Sequence, residues 1–74
     1  MRMTWGDLKA KEERVNALLR EVKVRVGRRY DYVAIDMTDD EGKVLDTLAA
    51  GLTSREAFTI LDCLENVLRR ELSR

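Results

Sequence analysis

The sequence predicts a small α+β domain in which a first helix and a C-terminal amphipathic helix pack on a short antiparallel sheet. Two observations carry this fold class: apolar residues recur with the helical period after residue 53, and they alternate with polar residues between residues 30 and 37. An acidic, glycine-containing segment then separates two apolar runs, as a hairpin turn does. No linker or repeat divides residues 1–74, so we treat them as one domain.

The C-terminal helix has a defined start at Thr53. Thr53-Ser54-Arg55-Glu56 fits a capping box, in which the threonine hydroxyl and the glutamate carboxylate each accept from the other residue's backbone N–H. The apolar stripe that follows contains Ala57, Ile60, Leu61, Leu64, Val67, Leu68 and Leu72. Phe58 and Cys63 flank this stripe, and the opposite side carries Asp62, Glu65, Asn66, Arg69 and Arg70. We expect the stripe, with Cys63, to pack in the core.

A second capping pattern, Thr4 with Asp7, predicts the start of the first helix. One face of this helix would carry Leu8, Val15, Leu18, Leu19 and Val22. Lys11 and Glu12 interrupt that face. We therefore expect the first turns to project beyond the core, with these two charges in solvent.

The segment Val22–Val26 fits two structures. Its three valines alternate with basic residues, which is typical of a strand. The first and last of these valines also continue the helical face, and Gly27 would then lie just past the helix end. We favour the helix, which gives a hairpin between two helices. The strand would instead give a three-stranded meander.

Tyr30–Met37 is the clearest strand, with Tyr30, Tyr32 and Ala34 on one face and Val33, Ile35 and Met37 on the other. The turn Thr38–Gly42 follows, and its glycine suits a positive φ. Lys43–Ala49 is the predicted return strand.

The small size of the chain favours self-association. A chain of this length buries only about 60% of its unfolded surface. Its single cysteine excludes an intrachain disulfide, and it has no histidine for a zinc site. A hairpin would leave two sheet edges open, and pairing of edges between copies would form a continuous sheet. We therefore expect a homo-oligomer, most simply a homodimer.

The expected location is the cytoplasm, without membrane association. A lone cysteine and the absence of a signal peptide indicate a reducing compartment. No apolar run is long enough to cross a membrane.

No catalytic or metal-binding pattern is found. Acidic residues cluster around the turn: Asp36, Asp39, Asp40, Glu41 and Asp46. An EF-hand loop with Gly42 at its sixth position would have Met37 first and Leu48 twelfth, so the calcium pattern fails. Without histidine, Cys63 cannot form a Cys/His nucleophile within one copy. There is also no glycine-rich phosphate loop. We expect no enzyme activity, no metal and no cofactor.

The basic stretch Lys23–Arg29, with Tyr30 beside it, suggests nucleic-acid binding as an alternative function. A helix, three strands and a helix would also resemble a double-stranded RNA-binding domain in outline. Such domains carry a lysine cluster where this chain has Thr53-Ser54-Arg55-Glu56, and the acidic turn would repel phosphate. A further alternative is an oligomer that sequesters a small molecule between subunits.

Residues 44–57 read Val-Leu-Asp-Thr-Leu-Ala-Ala-Gly-Leu-Thr-Ser-Arg-Glu-Ala. They resemble small uncharacterised bacteriophage or prophage proteins, in which a strand leads into Gly-Leu-Thr-x-Arg-Glu-Ala at the start of a helix. The resemblance covers about the last half of the chain. It implies a small accessory protein of phage or bacterial origin, and some such proteins inhibit host proteins.

We expect a non-catalytic protein-binding module that self-associates, with a phage-type inhibitor of a host protein as one form of it. Aromatic residues and arginine dominate the energetics of protein interfaces. On that basis the candidate partner-binding residues are Trp5, Arg28, Arg29, Tyr30 and Tyr32.

Overall fold

The computed structural model describes residues Met3–Ser73 and contains, within them, two helices and three strands. In chain order these are α1 (Trp5–Asn16), β1 (Lys23–Arg29), β2 (Tyr32–Thr38), β3 (Val44–Leu52) and α2 (Ser54–Leu72). The strands form one antiparallel sheet in the order β1-β2-β3. The predicted α+β class is confirmed, and the three-stranded meander is the version that forms.

Both helices cover the same face of the sheet. The core consists of Val24 and Val26 from β1, Val33 and Ile35 from β2, and Leu8, Val15, Ala57 and Leu61 from the helices. The helices run parallel, because Lys11 contacts Asp62 and Arg14, one turn later, contacts Glu65. Both helices therefore begin near the β1–β2 turn and run toward the opposite end of the sheet.

The two predicted helix starts are confirmed. The Thr4 hydroxyl accepts from the Asp7 N–H at 3.1 Å, and the Asp7 carboxylate accepts from the Thr4 N–H at 3.0 Å. Thr53 and Glu56 make the same pair of bonds, at 3.1 and 2.8 Å. Gly42 has a φ of 88°, as predicted for the β2–β3 turn.

The predicted continuation of the first helix to Val26 is wrong. α1 ends at Asn16, and β1 begins at Lys23. The strand prevails because alternate valines, Val24 and Val26, reach the core while the residues between them face away. Gly27 accordingly lies inside β1. The Lys23 ammonium donates to carbonyls at the end of α1 and in the connection after it, at 3.1 and 2.9 Å.

The boundaries of β2 and β3 also differ from the prediction, by most at the start of β2 and the end of β3. β2 begins at Tyr32, because Tyr30 and Asp31 form a two-residue turn in which Tyr30 has a φ of 59°. β3 continues past Ala49 to Leu52. Gly51, near the end of β3, takes a φ of 67°, so the chain can enter α2 directly.

Candidate interaction surfaces

The outer edge of β1 is closed by side chains of α1. Glu12 Oε2 accepts a hydrogen bond from the Val26 N–H at 2.8 Å. Asn16 bonds to Val24 twice: its Oδ1 accepts from the N–H at 2.8 Å, and its Nδ2 donates to the carbonyl at 2.9 Å. These are backbone groups that a further strand would otherwise bond. The expectation of two open edges is wrong for β1, since α1 lies along it, and Glu12 is not a solvent charge.

β3 forms the opposite edge, and within Met3–Ser73 no further strand pairs with its outer side. Its apolar residues Val44, Leu45 and Leu48 are between 41% and 49% exposed. The register with β2 shifts three times, so the nine residues of β3 lie opposite six residues of β2, Val33–Thr38. Such bulges bend a strand and interrupt its hydrogen-bonding pattern. The edge therefore presents apolar side chains on an irregular backbone.

One flank of α2 is apolar and faces away from α1. α1 contacts the flank that carries Asp62 and Glu65. At 100° per residue Ile60, Cys63 and Val67 lie on the other flank, and Val67 is 62% exposed. An open groove of about 470 Å³ begins at this flank and is lined by Leu52, Thr53, Arg55, Glu56, Thr59 and Ile60.

Cys63 is exposed, so the prediction that it is a core residue is wrong. The apolar stripe of α2 is wider than the surface that α1 and the sheet cover. Only Ala57 and Leu61 of the stripe are fully buried. The residues at its edge are left for solvent or a partner.

Lys11 and Glu65 form a buried ion pair between the helices. Lys11 Nζ lies 2.7 Å from Glu65 Oε1 and 2.8 Å from Asp62 Oδ1. The other Glu65 oxygen lies 2.7 Å from Arg69 Nη2 and 3.3 Å from Arg14 Nε. The expectation that Lys11 and Glu65 face solvent is wrong, since they are 7% and 2% exposed. Each charge replaces part of the hydration that the other loses on burial.

The ion pair holds both groups in their charged forms. Hydrogen bonds from Lys11 and then Arg69 lower the pKa of Glu65 from 4.5 to about 2. Hydrogen bonds to Asp62 and then Glu65 raise the pKa of Lys11 above 10.5. Groups that remain ionised across the neutral range do not exchange protons there. The arrangement therefore fixes α1 against α2.

A polar cluster surrounds Asp36 on the face of the sheet opposite the helices. Arg25 Nη2 lies 3.9 Å and Arg29 Nη2 3.4 Å from Asp36 Oδ2, and the Thr47 hydroxyl donates to Oδ1 at 3.0 Å. Asp36 is buried even though no helix lies on this face. The cluster links β1, β2 and β3, and sequence reasoning assigned Asp36 only to the acidic turn.

The basic side chains of Lys23–Arg29 point to different sides of the molecule, because they alternate along β1. Arg25 and Arg29 face Asp36, whereas Arg28 faces the helices and its guanidinium carbon lies 4.5 Å from the centre of the Trp5 ring. Lys23 is engaged at the end of α1. The stretch therefore does not form one continuous phosphate-binding surface, which does not favour the nucleic-acid alternative.

The five predicted partner-binding residues all lie at one end of the molecule, at or beside the β1–β2 turn, but not on one face of the sheet. Trp5 packs under Arg28, and Arg28 borders a depression of about 230 Å³ together with Tyr30, Asp31, Tyr32, Val33 and Ser54. Tyr30 is 100% exposed. Arg29 and Tyr32 are paired across β1 and β2, so their side chains lie on the face of the sheet opposite Arg28. No sequence signal identifies Ser54, since only the fold brings the start of α2 to this turn.

The acidic β2–β3 turn is stabilised internally. Asp39 Oδ1 accepts from the backbone N–H groups of Glu41 and Lys43, at 2.9 and 2.8 Å. Among the residues from Met3 to Ser73, no three cysteine or acidic side chains are grouped so that they could hold a metal ion. Asp39 therefore serves the turn itself.

Comparison of this chain with protein-family models, curated proteins and solved structures finds no match. Glu56, at the start of α2, accepts a hydrogen bond from the Thr53 N–H and thus serves the helix cap. In the described part of the chain, neither helix combines the length and the apolar character needed to span a membrane.

Proposed function

We propose that this chain is a non-catalytic protein-binding module that self-associates through the side of the molecule formed by β3. The difference between the two sheet edges carries this proposal. Glu12 and Asn16 occupy the β1 edge, whereas β3 leaves three apolar side chains about half exposed. Exposed edges with apolar side chains are the positions at which protein chains associate.

The total solvent-accessible surface of the chain supports association with a partner. The chain exposes 5483 Å², whereas a compact monomer of this size exposes about 4,700 Å². The excess agrees with a two-layer molecule only 17 Å thick, in which β3 and one flank of α2 are incompletely covered. A second copy placed against β3 would cover part of this surface.

Charge favours an antiparallel arrangement of the two β3 strands. The acidic turn with Asp39, Asp40 and Glu41 precedes β3, and Arg55 follows it at the other end. A two-fold axis perpendicular to the sheet brings the acidic turn of one copy to the Arg55 end of the other. A parallel arrangement would place the two acidic turns together, which like charges disfavour.

Contacts between side chains would stabilise this dimer more than backbone hydrogen bonds between the two β3 strands. The three register shifts interrupt a regular ladder along β3. Val44, Leu45 and Leu48 nevertheless remain available, and the groove beside Leu52 and Ile60 lies at the end of β3 that would meet the partner's Val44. Burial of these side chains is the main expected contribution.

The test is solution mass by light scattering across a dilution series, at low and high salt. We expect the wild type to be a dimer that persists at high salt, and Leu48→Lys to be a folded monomer at every concentration. Leu72→Lys is the matched control, since Leu72 is similarly exposed but lies at the end of α2. A folded wild-type monomer at all concentrations, or an unchanged Leu48→Lys dimer, would contradict the proposal.

Charge reversal tests the orientation. Asp40→Lys places a cation beside the Arg55 end of the partner in the antiparallel arrangement. We therefore expect its dimer to weaken at low salt and to match the wild type at high salt, where surface charges are screened. A stronger dimer at low salt would instead indicate that the two turns lie together.

The broader role as a phage-type accessory or inhibitor protein acting on a host protein is also part of this proposal. Its support is the resemblance of residues 44–57, which here span β3 and the start of α2. The proposed association surface and the resemblance thus involve the same part of the chain.

A further inference from the structure

The β1–β2 turn contains a residue that the fold alone does not favour. Tyr30 has a φ of 59° and a fully exposed side chain. The left-handed region suits glycine, asparagine or aspartate, and an aromatic residue there carries a conformational cost. Because the side chain buries nothing within the protein, folding does not explain its presence. Strained residues of this kind are commonly retained for binding.

Arg28, beside this turn, is positioned without an acidic partner. Its guanidinium carbon lies 4.5 Å from the centre of the Trp5 ring, which restricts its motion. No carboxylate within Met3–Ser73 forms an ion pair with it, in contrast to Arg25 and Arg29, which share Asp36. A guanidinium held by one face on an aromatic ring keeps its N–H groups available at its edge for a planar carboxylate.

The depression next to Arg28 has the scale of one side chain. Its volume of about 230 Å³ lies below the range for drug-sized ligands. Tyr30, Tyr32 and Ser54 also border it, and its surface is mainly polar. A depression of this size can accommodate one acidic side chain of a peptide, while the neighbouring residues of the peptide lie outside it.

We propose that this end of the molecule binds an acidic peptide segment of a partner protein, with Arg28 holding a glutamate or aspartate carboxylate and Tyr30 packing on its neighbours. The inference rests on the proposed protein-binding function but uses a surface other than β3. A peptide is favoured over nucleic acid because a nucleic-acid backbone needs several cations along its length, whereas Arg28 is the one basic residue within Met3–Ser73 that borders this depression. The other arginines of β1 are engaged with Asp36 on the opposite face.

The test uses a fluorescently labelled, end-blocked peptide of alternating glutamate and leucine, with a glutamine-for-glutamate peptide as its control. Binding is followed by anisotropy. The emission of Trp5, the single tryptophan of the chain, reports whether the site itself is occupied. We expect saturable binding of the glutamate peptide with a change in Trp5 emission, and no binding of the glutamine peptide.

Three variants locate the site. Arg28→Gln should weaken binding about tenfold or more, as expected for loss of a charge-assisted bidentate contact. Arg28→Lys keeps the charge and should recover only part of the affinity. Arg20→Gln removes an exposed arginine in the connection between α1 and β1, at the opposite end of the molecule, and should leave binding unchanged. Tyr30→Gly should weaken binding while it maintains or raises the melting temperature.

Several outcomes would overturn the inference. These are no saturable peptide binding, equal affinity of Arg28→Gln and wild type, or tighter binding of single-stranded oligothymidylate than of the peptide. Light scattering separates this result from the proposed dimer. Arg28→Gln should retain the wild-type mass, and Leu48→Lys should retain peptide binding.

Discussion

The two edges of the sheet differ in whether side chains bond to their outward-facing backbone N–H and C=O groups. At β1, Glu12 and Asn16 of α1 supply the hydrogen bonds that a fourth strand would make. At β3, no side chain of either helix has this role in the described residues, and apolar groups remain exposed. Polar residues on a helix can therefore protect a strand edge. The surface open to association is the one that lacks them.

The largest expected effect on stability comes from truncating a buried valine of β1, and the same change at an exposed valine of β3 should have little effect. Val26→Ala removes a side chain that is 3% exposed, and should lower the free energy of unfolding by about 2–3 kcal/mol through lost transfer energy and a cavity. Val44→Ala makes the same chemical change on β3 and should cost about 0.5 kcal/mol or less. Urea unfolding at a concentration where the protein is monomeric measures both. Equal costs would contradict the difference in burial between Val26 and Val44.

Loss of the hydrogen bonds that protect the β1 edge should lower the free energy of unfolding by less than Val26→Ala does. Asn16→Ala leaves the Val24 N–H without its acceptor and should cost roughly 1–2 kcal/mol, within the range for an unsatisfied buried donor. Hydrogen exchange of the Val24 amide should also become faster. Asn66→Ala, on the exposed side of α2, is the control and should change neither quantity. An unchanged Val24 exchange rate would mean that the edge is protected by other means.

The closed β1 edge also depends on the position of α1, which the Lys11–Glu65 pair fixes. Because the pKa of Glu65 is lowered from 4.5 to about 2 in the folded state, its stabilisation is complete above pH 4.5 and is lost as the pH falls toward 2. The melting temperature should therefore decrease over this interval. The decrease should be smaller in Glu65→Gln, and Glu71→Gln, at an exposed position, should behave like the wild type. A wild-type and a Glu65→Gln profile that coincide would contradict this linkage.

The smallest effect concerns the polar contact that attaches β3 to β2. Thr47→Val removes the hydroxyl that donates to Asp36 at 3.0 Å, while Arg25 and Arg29 continue to neutralise the carboxylate. We expect a loss of about 0.5–1 kcal/mol, measured by urea unfolding. A loss as large as that of Val26→Ala would mean that β3 is held mainly by this polar cluster.

Local features of the fold could be predicted from the sequence, and features that depend on distant contacts could not. Thr4 and Thr53 each bond to a residue three positions away, so their caps are visible in the sequence alone. The Val22–Val26 segment satisfies both periodicities, and only burial of its valines against the helices selects the strand. Lys11 was placed in solvent because its partners are more than 50 residues away. The one feature of the sequence that could indicate this burial is the presence of acidic residues, Asp62 and Glu65, on the second helix.

The candidate surface could be predicted by residue type but not by arrangement. Trp5, Arg28, Tyr30 and Tyr32 were selected because such side chains dominate interfaces, and the structure places them at one end. The same criterion of residue type selects Arg29, yet Arg29 and Tyr32 pair across β1 and β2 and face the side of the sheet opposite Arg28. The difference between the two edges could not be predicted, since it depends on where α1 lies.

The parallel course of α1 and α2 has an electrostatic consequence. Each helix carries a dipole equivalent to roughly half an elementary charge at either terminus, positive at the N-terminus. In an antiparallel pair these dipoles largely cancel, but here they add, and both positive ends lie at the β1–β2 turn. This contribution does not titrate, because it comes from peptide groups. A charged molecule approaching the protein therefore meets a field with a fixed direction, which biases the orientation of the encounter before any side chain makes contact.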